Sequence, residues 1–260
     1  MFFLPQSIND KKSLILLGLA TLGLLLAPNS ASAFELVNKT GFKDSDFENL
    51  RQQGQFTELF VAEGRIGDNN PSEGIHEIDI LRDTKISFTP VVKDGRTWQN
   101  NSFVDFSLEY TGSEVTYKVG EKTLKTNSFS GPVTDIFLRT FAQQDKISKN
   151  NKNNAVQLTD LLFYESANSQ GKAIGNLSSF GTATSSDTDY IQLSKISAGF
   201  KLTGKVAMSW EGGMLSQSNL AYQIKVGNSP KTTSVPEPGT LGAIALAAFA
   251  GIGYKRRKSS

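Results

Sequence analysis

The sequence predicts an all-β protein, in which an antiparallel β-sandwich or jelly-roll-like ectodomain is flanked by an N-terminal signal peptide and a short C-terminal transmembrane helix. Three observations support this prediction. Apolar and polar residues alternate strictly along the central part of the chain, and a short apolar run lies near each end. The 260 residues include no cysteine and one histidine, which excludes disulfides, thiolate metal sites and three-histidine metal centres.

The N-terminus has the three parts of a secretory signal peptide. Two basic residues precede an apolar run at 14–27, and small residues follow it. A permanent membrane anchor is the alternative, but the run is shorter than the roughly 20 apolar residues of a comfortable span. We therefore expect signal peptidase to remove residues 1–33 and leave Phe34 as the first residue. The basic pair is Lys11 and Lys12, and the small residues at the cleavage site are Ala31 and Ala33.

The middle of the chain, residues 34–226, has the period-two pattern of half-buried strands in antiparallel sheets. The alternation is strictest at 104–110, 115–119, 200–210 and 220–226. We predict about ten short strands joined by turns rich in Gly, Asn and Ser, which is typical of a sandwich. The weaker strand candidates are 56–63, 75–81, 85–92, 134–141, 156–163 and 190–194.

Three further segments interrupt the strand pattern. Polar residues at 44–46 are expected to cap a short helix over 47–53, which Gly54 would end. The polar run at 146–154 is expected to be an exposed loop. Residues 227–234 are rich in Ser, Thr and Pro and are expected to form a linker.

The C-terminal residues 235–260 contain a proline motif, an apolar run at 241–254 and a basic cluster, in that order. As a helix the run would be about 21 Å long, which is short for a permanent span, although a plain tail anchor remains the alternative. The basic cluster is expected to stay cytoplasmic. The motif comprises Val235, Pro236, Glu237 and Pro238, and the cluster comprises Lys255, Arg256, Arg257 and Lys258.

This tail resembles the PEP-CTERM sorting signal of bacteria that have an outer membrane. The resemblance covers about 24 residues and implies recognition by an exosortase, a transpeptidase-like membrane enzyme, followed by removal of the apolar tail. It further implies export or surface attachment, commonly in association with exopolysaccharide and biofilm matrix. The ending GFKLTGKVAMSWEGG…NLAYQIKVG and the early FVAEGRIGD loosely resemble the sandwich ectodomains that often precede such tails. The resemblance supplies no catalytic residue.

The charge of the ectodomain argues against nucleic-acid binding. The two ends carry six of the 27 basic residues and two of the 25 acidic residues, so residues 34–234 have a net charge of −2. The basic isoelectric point of the whole chain therefore comes from its termini. No basic surface for nucleic acid is expected.

Calcium is one ligand considered for the ectodomain. The loop 67–74 contains Asp68 and Glu73 among other oxygen donors, and 185–189 contains two carboxylates. Neither segment fits the EF-hand pattern, and ordinary turn chemistry explains both. His76 has the parity of the neighbouring isoleucines, so a position at the rim of the core is favoured over a role as base or metal ligand.

Glycan binding would use an exposed aromatic ring beside polar groups. Trp98 lies in an amide-rich turn, where stacking on a sugar competes with capping the core, whereas Trp210 shares the apolar parity of its strand and is expected in the core. A glycosidase would need two carboxylates about 5–10 Å apart, and spacing along the chain cannot place them. The candidates are Glu109, Glu114, Asp135 and Asp160.

These observations favour a non-enzymatic exported protein of the cell surface or extracellular matrix, with no cofactor. Its precursor would be held in the inner membrane, and its partners would be signal peptidase, exosortase and exopolysaccharide. The alternative is a calcium- or glycan-binding module on the same fold. A polysaccharide-acting enzyme is less favoured, because no nucleophile or phosphate-binding motif is present. An ice-binding protein is also less favoured, because the hydroxyl-rich segment at 182–185 does not repeat.

Overall fold

The computed structural model describes residues 34–70, 77–83, 88–144, 153–166, 169–182, 184–197, 199–213 and 217–230. Within these residues the chain forms thirteen strands and one helix. Their order is β1 (Glu35–Asn38), α1 (Asp44–Gln52), β2 (Thr57–Arg65), β3 (Ile78–Asp83), β4 (Phe88–Asp94), β5 (Val104–Tyr110), β6 (Val115–Val119), β7 (Lys122–Thr126), β8 (Asp135–Ala142), β9 (Asn153–Tyr164), β10 (Lys172–Thr182), β11 (Asp187–Ser194), β12 (Phe200–Trp210) and β13 (Leu220–Asn228).

The strands form two antiparallel sheets. The seven-stranded sheet has the order β1-β11-β8-β13-β2-β3-β4, and the six-stranded sheet has the order β10-β9-β12-β5-β6-β7. Their apolar faces meet in one core, as the alternation of the strands requires. The prediction of an all-β fold with antiparallel sheets is confirmed.

The core contains a hydrogen bond between two tyrosine side chains from different sheets. The hydroxyl oxygens of Tyr117 on β6 and Tyr222 on β13 lie 2.6 Å apart, and both side chains are fully buried. Burial raises the pKa of each phenol above its ordinary value. One hydroxyl donates this hydrogen bond and the other accepts it, so both buried hydroxyls have a partner.

The predicted helix exists but begins earlier than expected. It starts at Asp44 rather than at Phe47, because Asp46 lies within its first turn and accepts the backbone N–H of Lys43 at 2.8 Å. Gly54 follows the helix end with φ +67, as the sequence predicts. The helix covers the outer face of the seven-stranded sheet, where Phe47 joins a small aromatic cluster.

Several other boundaries differ from the predictions. Strands β1, β7 and β10 were not predicted, and β9 begins at Asn153, inside the predicted loop 146–154. Strand β13 continues to Asn228, two residues into the predicted linker. Trp210 is partly buried and packs against the rim of the core rather than inside it. No described helix is long and apolar enough to cross a membrane, and the predicted C-terminal helix lies outside the described residues.

The strand registers place the start of β1 and the end of β13 on the same side of the domain. Glu35 pairs with Ser194 in β11, and Asp135 in β8 pairs with Gly227 in β13. Strands β11 and β8 are neighbours, with Leu193 opposite Ile136. We call this end the tail end and the opposite end, where β8 finishes and β13 begins, the far end.

Candidate functional site: a polar groove on the six-stranded sheet

A groove of about 390 Å³ crosses the outer, solvent-facing side of the six-stranded sheet. Its floor lies over β12 and β5, where Gly204 is buried and the ring of Phe106 is turned into the core. Two short hydroxyl side chains, Ser107 and Thr203, stand opposite each other in the register of these strands. Longer charged side chains surround them; these are Asp105, Lys118, Asp160, Lys201 and Lys205.

A bulge in β9 supplies one wall of the groove. The pairing between β12 and β9 shifts between Thr203 and Lys205, so β9 has one extra residue there. Asp160 has φ 53 at this point, a conformation that aspartate tolerates better than most residues. Its carboxylate is 69% exposed and lies 3.2 Å from the ammonium of Lys205. The bulge therefore turns an acidic side chain outward beside a lysine.

The other two lysines of the groove have no carboxylate partner in the described part of the chain. Lys118 and Lys201 form no ion pair there within 4 Å; Lys201 instead lies 5.9 Å from the ring centre of Tyr164. The groove thus has three ammonium groups and two carboxylates, a local excess of one positive charge. This sign is opposite to the net charge of residues 34–234.

An exposed aromatic ring lies next to the groove. Phe103 immediately precedes β5, has the same parity as the outward-facing Asp105, and is 50% exposed. A second exposed phenylalanine, Phe180, is 53% exposed and belongs to the edge strand β10, two strands away from β12. Single exposed apolar side chains are ordinary on a protein surface, so Phe103 is of interest for its position beside the groove and not for its exposure alone.

A second, smaller cavity of about 210 Å³ lies between α1 and the seven-stranded sheet. Lys225 lies beneath the helix, 3.4 Å from the carboxylate of Glu58 and 4.6 Å from the ring centre of Phe47. Burial lowers the pKa of Lys225 and raises the pKa of Glu58. Arg51 of α1 adds an ion pair to Glu58 at 2.9 Å. These charges hold the helix against the sheet.

Asp44 attaches the start of the same helix to the sheet. It accepts hydrogen bonds from the guanidinium of Arg139 and, at 2.6 Å, from the hydroxyl of Tyr190. Burial raises the pKa of Asp44, but the hydrogen bonds and the charge of Arg139 outweigh this effect, so the pKa lies below its ordinary value. The polar groups of this cavity are therefore engaged with one another, and we assign them a structural role.

The loop at 67–74 is held by a carboxylate that the sequence did not single out. Glu77 is fully buried and accepts the backbone N–H groups of Gly67, Asp68 and Asn69, each at 2.8 Å. Burial raises the pKa of Glu77. Glu73 and His76 lie outside the described residues, so the calcium hypothesis for Asp68 and Glu73 stays a prediction.

Trp98 belongs to the core and not to a ligand surface. Its side chain is 2% exposed, its indole N–H donates to the carbonyl of Arg65 at 2.8 Å, and its backbone bonds to Asn69. The guanidinium of Arg96 lies 4.9 Å from its ring centre. A ring in this position has no face available to a sugar, so the core alternative for Trp98 is the correct one.

The carboxylates considered for catalysis are held in separate places. Glu114 pairs with Lys125 at 3.6 Å, and Asp160 pairs with Lys205. Asp135 is buried and accepts hydrogen bonds from Thr134 and Gln192. Glu109 lies opposite Lys201 in the sheet.

At the second proposed calcium segment, Asp187 accepts the backbone N–H of Phe180. Across the described ranges, no three of His, Cys, Asp and Glu cluster in a way that would hold a metal ion.

Of the residues that line the groove, the sequence singled out Asp160 alone, and as a candidate catalytic carboxylate rather than as part of a binding surface. Lys118, Lys201 and Lys205 were visible as the polar positions of alternating strands, but such positions are usually just solvated. They come together only through the register of β12 with β5 and of β5 with β6. Neither of these strand registers can be predicted from a single sequence.

One protein-family comparison identifies the end of the chain. The family model of the PEP-CTERM protein-sorting motif matches residues 234–258. This chain carries a PEP-CTERM sorting motif. The match begins six residues after the end of β13 at Asn228. The motif implies processing by an exosortase and an exported protein that is sorted to the cell envelope or surface. No curated protein matches the chain.

Proposed function

We propose that this is a non-enzymatic exported protein of the cell surface or extracellular matrix, whose β-sandwich ectodomain is released from the inner membrane by removal of its tail. The observation that carries the proposal is the PEP-CTERM motif at residues 234–258. Signal peptidase would remove residues 1–33 and exosortase would remove the apolar segment. The mature protein would then be the sandwich with a short C-terminal extension.

The chemistry of the motif suits recognition by a membrane protease. Pro236 and Pro238 fix their own φ and disfavour helix in the residues before them, so the motif favours an extended backbone. An extended segment exposes its peptide bonds to a protease, whereas a continuous helix would hide them. Glu237 between the prolines provides a charged determinant. The basic residues at 255–258 would hold the tail with its end in the cytoplasm.

The short connection between the sandwich and the motif keeps the ectodomain near the processing site. Asn228 ends β13, and Val235 starts the proline motif seven residues later. Fully extended, this connection reaches about 25 Å, which is less than the length of the longer strands at about 3.3 Å per residue. The precursor would therefore present a folded domain close to the membrane.

The arrangement of the carboxylates supports a binding or structural role over catalysis. Glu58, Asp44 and Glu77 have shifted pKa values, which often mark catalytic groups, but each is occupied by a cation or by backbone donors that fix a helix or a loop. The groove on the six-stranded sheet is a shallow polar surface. Association with exopolysaccharide is therefore proposed as the role of the mature protein.

Cell fractionation of the native host tests this proposal. We expect the wild-type protein at the cell surface or in the medium, and we expect a variant with Pro236, Glu237 and Pro238 replaced by alanine to accumulate in the inner membrane. A matched control replaces Thr232 and Thr233, which precede the motif, with alanine and should behave as the wild type. Equal distribution of all three proteins would contradict the proposal.

A further inference from the structure

We propose that the groove on the outer face of the six-stranded sheet binds a segment of acidic polysaccharide, in which carboxylates of the sugar chain contact Lys118 and Lys201. This inference rests on the proposed function, which brings the mature protein together with exopolysaccharide. It assigns a binding site and a ligand class to residues that the sorting motif does not involve.

The groove has the size of a carbohydrate site and the hydroxyl and charged side chains that such a site uses. Its volume of about 390 Å³ lies within the range of about 300–1,000 Å³ that is usual for ligand clefts. The hydroxyls of Ser107 and Thr203 lie on its floor, and the carboxylates of Asp105 and Asp160 stand at its sides. Sugar hydroxyls both donate and accept hydrogen bonds, so this mixture of donors and acceptors complements them.

The lysines give the groove its preference for an acidic sugar. Asp160 neutralises Lys205 at 3.2 Å, whereas Lys118 and Lys201 have no carboxylate within 4 Å among the residues that the structure describes. An ammonium and a carboxylate form a stronger hydrogen bond than two neutral groups. A uronate in the groove would therefore complete two charge pairs that the protein leaves open.

Phe103 extends the site at one side. Its exposed ring stands beside Asp105 on the same face of the sheet, where it offers an apolar surface for the C–H groups of a pyranose ring. A polysaccharide combines such apolar patches with dense hydroxyls, and the groove combines a phenyl ring with hydroxyls and charges.

The groove opens on the outer side of the six-stranded sheet. Along β12 its lining runs from Lys201, next to the first residue of the strand, to Lys205 in the middle of the strand. Gly120, which also lines it, follows β6 and donates its N–H to the carbonyl of Asp105 at 2.9 Å. The groove therefore faces sideways from the sandwich.

Calorimetric titration of the full chain in a non-ionic detergent tests the proposal. The probes are a tetrameric oligouronate and, for comparison, a neutral glucan tetramer. We expect saturable binding of the oligouronate that weakens as salt is added, because salt screens the lysine contacts. The glucan should bind at least about tenfold more weakly, because it lacks the carboxylate for one charge-assisted hydrogen bond. No oligouronate binding, or equal binding of both probes, would overturn the proposal.

Variants locate the site. Lys118→Gln, Lys201→Gln and Phe103→Ala should each weaken oligouronate binding by about five- to tenfold, since each removes one direct contact. Lys125→Gln and Phe180→Ala are the matched controls, because they remove an exposed lysine and an exposed phenylalanine from the same sheet outside the groove. Circular dichroism verifies folding. Equal losses in groove and control variants would contradict the location, and this result does not depend on whether the tail is processed.

Discussion

Glu35, the first residue of β1, and Gly227, close to the end of β13, lie at the same end of the seven-stranded sheet. Three strand spacings separate β1 from β13, or about 14 Å. The segments that precede and follow the sandwich therefore leave it from one side. In the proposed precursor this side faces the membrane, while the loop around Asp68, which follows the other end of β2, lies away from it.

The first prediction concerns the tyrosine pair in the core. Tyr117→Phe leaves the hydroxyl of Tyr222 buried without the partner that lies 2.6 Å away in the wild type. We expect a loss of about 1–3 kcal/mol in the free energy of unfolding, the usual cost of an unsatisfied buried hydroxyl. The double variant Tyr117→Phe, Tyr222→Phe should lose less than the sum of the single variants. Urea denaturation measures all three, and strict additivity would contradict the coupling.

The second prediction concerns the attachment of α1 by Asp44. Asp44→Asn leaves the buried guanidinium of Arg139 without its carboxylate, and we expect a loss of about 1–3 kcal/mol at neutral pH. The folded-state pKa of Asp44 is depressed, so its stabilising contribution is complete above the unfolded pKa. The difference between variant and wild type should therefore disappear as the pH falls through that depressed pKa, below about pH 4.

Denaturation curves at a series of pH values measure this difference. Glu48→Gln is the control on the same helix, because Glu48 is about as exposed as Asp44, at 47% against 49%, but contacts Arg51 and Gln52 of its own helix and not the sheet; its effect should be within about 0.5 kcal/mol. A difference for Asp44→Asn that stays constant down to about pH 2 would show that the ionised carboxylate is not what holds the helix.

The third prediction concerns the close approach of β13 and β2. A Cβ at Gly227 would lie 2.2 Å from the carbonyl oxygen of Thr57, and a backbone atom cannot move aside as a flexible side chain can. Gly227→Ala should therefore cost about 1–3 kcal/mol. Gly213→Ala is the matched control, because a Cβ there meets nothing within 4 Å among the residues that the structure describes. Thermal unfolding compares the two, and equal melting temperatures would refute the steric argument.

The fourth prediction concerns the loop that Glu77 holds. Glu77→Gln replaces an acceptor-only carboxylate by an amide, which cannot accept from Gly67, Asp68 and Asn69 on both of its polar atoms. Hydrogen–deuterium exchange should become faster at these three amides, while the amides of β12 stay protected. Unchanged exchange in the loop would mean that the carboxylate does not anchor it.

The strands that the sequence predicts most clearly are those with one fully apolar face. Strands β5 and β6 alternate without interruption, and β12 alternates from Phe200 to Val206. Strand β13 has apolar residues at every second position from Leu220 to Val226, although Ala221 and Lys225 between them are buried as well. Strand β7 buries only Leu124, and β10 has register shifts around Gly175 that break its alternation. For these strands tertiary pairing decides the structure, and local pattern does not.

The two parts of the functional prediction also differ in how far sequence determines them. The sorting motif is one contiguous segment of the chain, so its residues can be identified from the sequence without knowledge of the fold. The groove depends on residues from four strands and on a bulge at Asp160. The sequence made Trp98 a candidate for sugar binding because it is an aromatic residue in a polar turn. Its burial in the structure shows that the ring is part of the core.

Mass spectrometry of the C-terminus of the protein isolated from its native host tests the central claim most directly. The account predicts a main species that lacks residues 241–260, and it predicts that replacing Pro236, Glu237 and Pro238 with alanine restores the C-terminal peptide. The variant in which only Thr232 and Thr233 are replaced should still be shortened. Recovery of the intact C-terminal peptide as the main species of the wild-type protein would contradict the account and favour a permanent tail anchor.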